Sequence, residues 1–207
     1  MSRRKQCRTA EVQPSSKRDA ILLAAKQVFL EMGYAAASMD TVAARAGVSK
    51  ATIYAHFESK TALFGWVIRS RCDQQFGDLC MPDVAAGDAR TVLRSAAQRL
   101  LDLLLSPEGL AIYRVVVAEA HRLPELAEAF YAAGPRVGKA TLAAMFSELD
   151  RRGLLKVDDS ELASDMFVGM LKGDLHMRGL LNLGACGRSR EEVVDKVVEI
   201  LCAAYRV

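Results

Sequence analysis

The stretch SMDTVAARAGVSKATIYAHFESK, residues 38–60, predicts two short helices joined by a tight turn. Ser38 is suited to cap the first helix, whose apolar residues recur at three- and four-residue spacing. Gly47 can take the left-handed conformation that ends a helix, and Ser49 can cap the second helix, which would bury Ile53. This arrangement is typical of helix-turn-helix elements, which read DNA.

The exposed side of the second helix carries residue types that suit a DNA groove. Ala51 is small enough to let the helix approach base edges, and Thr52 can contact a base or a thymine methyl group. Lys50, Tyr54 and His56 can donate hydrogen bonds to phosphates or bases. We therefore expect this helix to be the recognition helix.

Residues 47–63, GVSKATIYAHFESKTAL, resemble the DNA-binding signature of the TetR family of bacterial transcription regulators. The resemblance extends into the preceding helix and covers about residues 16–65. It implies that Tyr54, His56 and Lys60 bind backbone phosphates. It also implies DNA contacts from a threonine early in the first short helix and from residues around the start of the second. These positions are Thr41, Arg45, Ser49, Lys50, Ala51 and Thr52.

Basic charge is concentrated near the N-terminus. Residues 1–60 carry ten Lys or Arg against five Asp or Glu, a net charge of +5. The remainder carries eighteen against twenty, a net charge of −2, so the +3 of the whole chain is unevenly distributed. Such a segment attracts phosphate, with an affinity that falls as salt rises. Residues 1–15 include Arg3, Arg4, Lys5 and Arg8, which form either an arm that reaches DNA or a disordered, solubilising tail.

The composition fits a globular protein with one small and one medium domain. The chain has 207 residues, of which 51% are hydrophobic and 26% charged. The apolar run 100–105 is too short to span a membrane and the N-terminus lacks a secretion signal, so we expect a cytoplasmic protein.

The five cysteines lie far apart and without metal-ligand spacing, which predicts reduced thiols, no metal site and no cofactor. A redox-sensing role stays open for Cys72 and Cys80. They are eight residues apart, or roughly two turns along one helix.

Helical periodicity in every long segment, few prolines and no strand-like alternation predict an all-α fold. The first helix is expected from Ser16 to Met32, and the fourth from about Lys60 toward Cys80, where Met81-Pro82 would stop it. Turn signals predict the later helices at 89–105, 109–122, 124–132, 135–152, 160–182 and 190–205.

These elements divide the chain into a basic, disordered arm (1–15), a three-helix helix-turn-helix DNA-binding domain (16–62) and a helical ligand-binding and dimerisation domain (63–207). From about Ala89 the chain resembles the ligand-binding half of an AefR-like subgroup of the same family. The similarity lies in AEA at 118–120, FYAAGP at 130–135 and RGLL at 152–155, followed by an acidic pair.

This second resemblance implies a pocket for a small, largely apolar effector. Aromatic residues, methionines and a few polar-tipped side chains are candidates to line it, although each could instead belong to the core. The candidates are Trp66, Phe76, Leu101, Tyr113, Val117, His121, Tyr131, Met145, Phe146, Phe167, Met170 and His176.

The last two helices combine bulky apolar residues with glycines that permit close helix approach. They could form a four-helix bundle across a two-fold axis, which would match a palindromic operator. Alternatively, both apolar stripes could be buried within one subunit. The candidate interface residues are Leu162, Met166, Gly169, Gly173, Leu180, Val194, Val197, Val198 and Leu201.

Taken together, these patterns predict a dimeric repressor that binds double-stranded DNA and is released by a small effector. No Gly-rich phosphate loop, Gly-x-Ser-x-Gly elbow or His-Glu-x-x-His motif is present in the sequence, so we do not expect an enzyme. Two alternatives stay open. One is a regulator of the same fold that activates or responds to cysteine oxidation, and the other is a helical lipid carrier or scaffold protein.

Overall fold

The computed structural model describes residues 16–76, 88–184 and 187–207, and the regular elements within these ranges are α-helices. This confirms the all-α prediction. The predicted arm (1–15), the Met81-Pro82 stop, Cys80 and Cys186 lie outside the described residues. The helices are α1 Lys17–Ala36, α2 Met39–Ala46, α3 Lys50–His56, α4 Lys60–Phe76, α5 Ala89–Leu104, α6 Pro107–Glu119, α7 Pro124–Ala133, α8 Pro135–Arg151, α9 Ser160–Leu180 and α10 Arg190–Ala204.

Side-chain caps fix where the first helices begin. The hydroxyl oxygens of Ser16, Ser38 and Ser49 each accept a hydrogen bond from the backbone N–H three residues on, at 3.1, 3.0 and 3.1 Å. Ser106 caps α6 in the same way, so this helix begins at Pro107, two residues before the predicted start. Elsewhere the observed bounds lie within a few residues of the predicted ones.

Two glycines shape the N-terminal helices. Gly33 has φ +75° and breaks α1 where the sequence predicts its end, although helical turns continue to Ala36. Gly47 has φ +66° and closes α2, and the Val48 N–H then bonds back to the Ala43 carbonyl oxygen at 3.1 Å. The chain can therefore turn sharply from α2 into α3.

The core of the N-terminal domain is built from α1, α2, α3 and the first turns of α4. The aromatic rings of Phe29, Tyr34 and Phe64 form a trio with centroids 5.3 to 5.7 Å apart. Ile53 of α3 is fully buried against this domain. The recognition helix thus has one face fixed in the core and the other free.

The second domain packs α4 to α10 around apolar side chains of its own, which are continuous with those of the first domain. α8 packs mainly on α9, α5 on α10, and α4 on both α1 and α7. Leu126, Phe146 and Phe167 are fully buried here. Across the described ranges we find no helix long and apolar enough to cross a membrane.

Candidate nucleic-acid interface and internal cavity

The outward face of α3 carries the predicted recognition residues. Lys50, Ala51, Tyr54 and His56 are exposed, and Thr52 is half-buried beside the cap. Tyr54 is 47% exposed, which is high for an aromatic side chain in a folded domain. The structure therefore brings these five predicted residues together on one surface.

Hydroxyl pairs hold the two threonines of this surface. The Oγ atom of Ser49 lies 2.8 Å from Thr52 Oγ1, and Ser38 Oγ lies 2.8 Å from Thr41 Oγ1. Each cap therefore orients the neighbouring threonine side chain as well as the backbone. Side chains held in one geometry lose little entropy when they contact a base.

Two predicted basic residues form surface ion pairs with neighbouring helices. Arg45 pairs with Glu31 of α1 at 2.5 Å, and Lys50 pairs with Asp40 of α2 at 2.8 Å. The hydrogen bond from Lys50 to Asp40 raises the pKa of the lysine. Exposed pairs of this kind contribute little to stability, so both cations can exchange their partner for a phosphate.

The structure places the amine of Lys60, a predicted phosphate ligand, against the end of α1. Its Nζ atom donates hydrogen bonds to the carbonyl oxygens of Tyr34 (2.8 Å) and Ala37 (2.9 Å), and it lies 4.3 Å from the centroid of the Tyr34 ring. Burial lowers the pKa of this lysine. The amine satisfies carbonyls at the end of α1 that have no helical partner, and its contact with phosphate stays a prediction.

A cavity of about 620 Å³ lies in the second domain between α4, α5, α6, α7, α8 and α9. One face of α6 lines it over roughly three turns, or about 16 Å. The residues of this face are Gly109, Ile112, Tyr113, Val116, Val117 and Ala120. The volume is in the usual range for sites that bind small organic molecules.

Three predicted pocket residues, Tyr113, Val117 and Tyr131, line this cavity. The other described candidates do not line it. Four are buried core: Leu101, Met145, Phe146 and Phe167. Met170 lines a separate groove between α9 and α10, and the side chain of Phe76 lies outside the described residues.

Trp66, His121 and His176 also lie away from the cavity. Trp66 is 45% exposed and holds the guanidinium of Arg18 at 4.0 Å from its ring centroid, and His121 is exposed. His176 is buried behind Tyr113, with the two rings edge to face at 5.0 Å. Helical spacing predicts which side chains face inward, but not which inward faces meet a void.

Charged residues in the cavity wall were missed by the sequence reasoning. Arg71 of α4 and Lys172 of α9 line the cavity, as do Lys139 and Asp165, which form an ion pair between α8 and α9. The Lys172 ammonium lies 5.1 Å from the Tyr113 ring centroid. A charged residue on an amphipathic helix normally indicates the solvent side, so nothing in the local pattern marked these four.

The Arg71 guanidinium is the centre of a hydrogen-bonded cluster. It pairs with Glu108 and donates to the hydroxyl of Ser106 at 2.5 Å. Glu108 also accepts from Lys26 of α1, at 2.8 Å. Burial acts to raise the pKa of Glu108, but the hydrogen bonds from Lys26 and Arg71 outweigh it and the pKa is lowered. The cluster therefore joins α1, α4 and α6 through one ionised carboxylate.

Cys72 also lines the cavity, and its environment disfavours redox chemistry. Burial raises the pKa of its thiol to about 11, so the group is protonated at neutral pH. The thiolate is the reactive form of cysteine, and a buried, protonated thiol is a poor nucleophile.

The predicted dimer residues divide into two groups. Leu162 and Met166 are 50% and 49% exposed on α9, and Gly169 and Gly173 are exposed on the same helix. Leu180 is half-buried. The predicted α10 residues are all buried within the subunit: Val194, Val197, Val198 and Leu201. α10 turns its apolar stripe toward α5 and α9.

Two family models match the chain. Residues 21–66 match the model described as "Bacterial regulatory proteins, tetR family". Residues 91–207 match the model described as "AefR-like transcriptional repressor, C-terminal domain". The second match alone covers more than half of the 207 residues.

Solved structures and a characterised relative are also similar. A TetR-family transcriptional regulator from Mesorhizobium loti MAFF303099 is 32% identical, with a TM-score of 0.79 over 95% of this chain and 100% of that chain. The Flavonoid-responsive Regulator FrrA is 35% identical, with a TM-score of 0.71 over 91% of this chain and 96% of that chain. The HTH-type transcriptional activator FasR of Mycolicibacterium smegmatis is 38% identical over 88 residues, which are 42% of this chain and only 40% of that protein.

The contacts of Lys60 lead to a stability prediction. Lys60→Met keeps the length of the side chain but leaves the carbonyl oxygens of Tyr34 and Ala37 without their donor, so we expect a loss of about 1–3 kcal/mol in the free energy of unfolding. The exposed Lys50, changed to methionine, is the matched control and should change stability by less than about 0.5 kcal/mol. Urea unfolding followed by circular dichroism measures both. A Lys60→Met variant as stable as the wild type would show that the amine is not needed at the end of α1.

The burial of His176 leads to a prediction about pH. Burial, aided by the charge of Lys172, lowers the pKa of His176 from 6.5 to about 4. Between these values the unfolded chain binds a proton that the folded chain does not, so stability present above pH 6.5 is lost as the pH falls toward 4. The loss from this group should be about 3 kcal/mol.

We expect His176→Gln to remove this part of the pH dependence, measured by urea unfolding between pH 4 and pH 7. His121→Gln, at an exposed histidine, should keep the wild-type slope. Equal slopes in the wild type and His176→Gln would mean that folding does not lower the pKa of His176.

Proposed function

This chain belongs to the TetR family of bacterial regulatory proteins and has an AefR-like C-terminal domain, and on that premise we propose a dimeric repressor that a small, amphipathic effector releases from a palindromic operator. Members of this family are DNA-binding transcription regulators rather than enzymes. The observation that carries the proposal is the cavity, because its wall includes the helix that leads into the DNA-binding domain.

DNA recognition is assigned to the outward face of α3. Ala51 and Thr52 lie where a helix in the major groove would meet base edges, while Lys50, Tyr54 and His56 are suited to phosphates. Arg45 and Thr41 of α2 lie beside this surface. Lys60 is left out, because its amine is engaged by the end of α1.

A dimer is supported by the exposed apolar stripe of α9. Leu162, Met166 and Met177 are each about half exposed, and Ile200 of α10 is 45% exposed. Gly169 lies between the larger residues and would let a partner helix approach closely, whereas Gly173, with φ +29°, interrupts the helix between Met166 and Met177. Two-fold association through this stripe would present two copies of α3, as a palindromic site requires.

Communication between cavity and DNA is assigned to α4. Ile68, Arg71 and Cys72 line the cavity, whereas Leu63 and Phe64 are buried near the start of the same helix. An effector that fits one position of α4 better than another shifts the population of the two. The spacing of the recognition helices, and with it operator affinity, would change accordingly.

The effector class is proposed from the cavity and one relative. The wall is mostly apolar, with Tyr113, Phe130 and Tyr131 as aromatic elements. FrrA, which is similar over nearly its whole length, is named for its response to flavonoids. An aromatic or otherwise apolar body with a few polar groups suits such a wall.

Repression is favoured over activation by the extent of the matches. The model that covers residues 91–207 is one of repressors, whereas the similarity to the activator FasR covers 42% of this chain. The protonated state of Cys72 gives no support to a regulator that answers to oxidation of this thiol.

The test is fluorescence anisotropy with DNA from the protein's own promoter and a scrambled duplex, at two salt concentrations. We expect tighter binding to the promoter, with two subunits or a multiple of two per site. Thr52→Ala should weaken promoter binding by about tenfold and leave the scrambled duplex unchanged, because it removes a base contact. Lys50→Ala should weaken both and lower the salt slope by about one. Equal binding of the wild type to both duplexes would contradict a specific operator in that promoter.

The dimer has its own test in Met166→Glu, which places two like charges near the two-fold axis. We expect the dimer to weaken by about two orders of magnitude in sedimentation equilibrium. Leu23→Glu is the matched control, since Leu23 is exposed to a similar degree on α1. A Met166→Glu protein that remains as dimeric as the control would exclude this face of α9.

A further inference from the structure

We propose that Arg71 forms an anion-binding subsite at one end of the cavity, so that the effector is an amphipathic organic anion. Its apolar body would lie along α6 and its acidic group would meet the guanidinium of Arg71. This inference rests on the proposed function, because it assigns a chemical class to the effector of that same cavity.

The shape of the cavity calls for an elongated ligand. The lining face of α6 runs from Gly109, next to the cap Ser106, to Ala120 at the far end of the helix. Arg71 bonds to Ser106 and Glu108, so it lies at the Gly109 end. A body that fills the apolar length therefore brings one terminus to Arg71.

The charge of the wall favours an anion. Lys139 and Asp165 neutralise one another, and Glu108 is shared between Arg71 and Lys26, which leaves one excess positive charge in that cluster. Lys172 adds another cation, which lies over the Tyr113 ring. A neutral ligand would leave this excess uncompensated in surroundings of low polarity.

Arg71 is favoured over Lys172 because it has a buried donor without an acceptor. Its Nε atom is shielded from solvent and has no hydrogen-bond partner among the described residues. Glu108 and Ser106 accept hydrogen bonds from the other two nitrogens, Nη1 and Nη2, so the guanidinium group has a defined orientation. Nε is closed to solvent, so the acidic group of a ligand would first meet the guanidinium by taking the place of Glu108, and a small shift of the side chain would then give Nε an acceptor.

Binding of an anion at Arg71 would also affect the contacts of α1, which belongs to the DNA-binding domain. An anion beside Arg71 competes with Glu108, and Glu108 is the partner of Lys26 on α1. The ligand would thereby weaken the Arg71–Glu108 ion pair between α4 and α6. It would also alter the Lys26–Glu108 ion pair between α1 and α6.

The test compares two fluorescent probes that differ in one charged group. Anilinonaphthalene sulfonate is an aromatic anion, and phenylnaphthylamine lacks the sulfonate. The measured quantity is the ratio of their dissociation constants, which cancels any general change in the cavity. We expect the wild type to prefer the anion and Arg71→Gln to reduce this preference about tenfold, as for the loss of one charge-assisted hydrogen bond.

Two further variants serve as controls. Arg69→Gln, at an exposed arginine paired with Asp73 on the same helix, should keep the wild-type preference. The double variant Arg71→Gln/Glu108→Gln removes the whole ion pair, so no uncompensated carboxylate remains, and it should show the same reduction as Arg71→Gln. It serves as the measurement if Arg71→Gln alone does not fold.

The outcomes separate this inference from the proposed function. A wild type that binds neither probe would contradict an effector cavity altogether. A preference for the anion that survives Arg71→Gln, or that is lost in Lys172→Gln or Arg69→Gln instead, would overturn the Arg71 subsite and leave the effector-responsive regulator standing.

Discussion

The structure depends on one constraint, which is that α4 is part of two cores at once. Near its start, Leu63 and Phe64 are buried with the aromatic residues of α1, and about one and two turns later Ile68 and Cys72 form part of the cavity wall. A helix with close-packed neighbours on both sides cannot absorb a displacement gradually. Under the proposed function, a ligand that displaces α4 in the cavity would therefore also displace its first turns in the DNA-binding domain.

Local sequence chemistry was enough to predict the DNA-binding domain. Caps at Ser38 and Ser49 and a left-handed glycine at position 47 depend on neighbours within three or four residues, and all three are found in the structure. The contacts of Lys60 could not be predicted in this way. Its partners are carbonyl oxygens 23 to 26 residues earlier in the chain, which no local pattern records.

The lining of the cavity and the partners of the last helices also depend on contacts between residues that are distant in sequence. Periodicity placed Phe146 and Val198 on the apolar faces of their helices. The first was predicted to line the pocket and the second the dimer interface, but both are fully buried in contacts within the subunit. Whether an apolar stripe meets a void, another helix of the same chain or solvent depends on how the helices are placed around it. Met166 and Val198 look alike in the sequence and differ only in that placement.

The cluster of Lys26, Glu108 and Arg71 explains why a small ligand could have a large effect. Three helices share one carboxylate, and both cations contact its Oε2 atom, so they compete for the same acceptor. A second anion beside Arg71 would end the competition and let Glu108 relax toward Lys26. Because the cluster is partly shielded from water, such an exchange of partners carries more free energy than it would at the surface. The ligand's charge, more than its volume, would then decide which position of α4 is favoured.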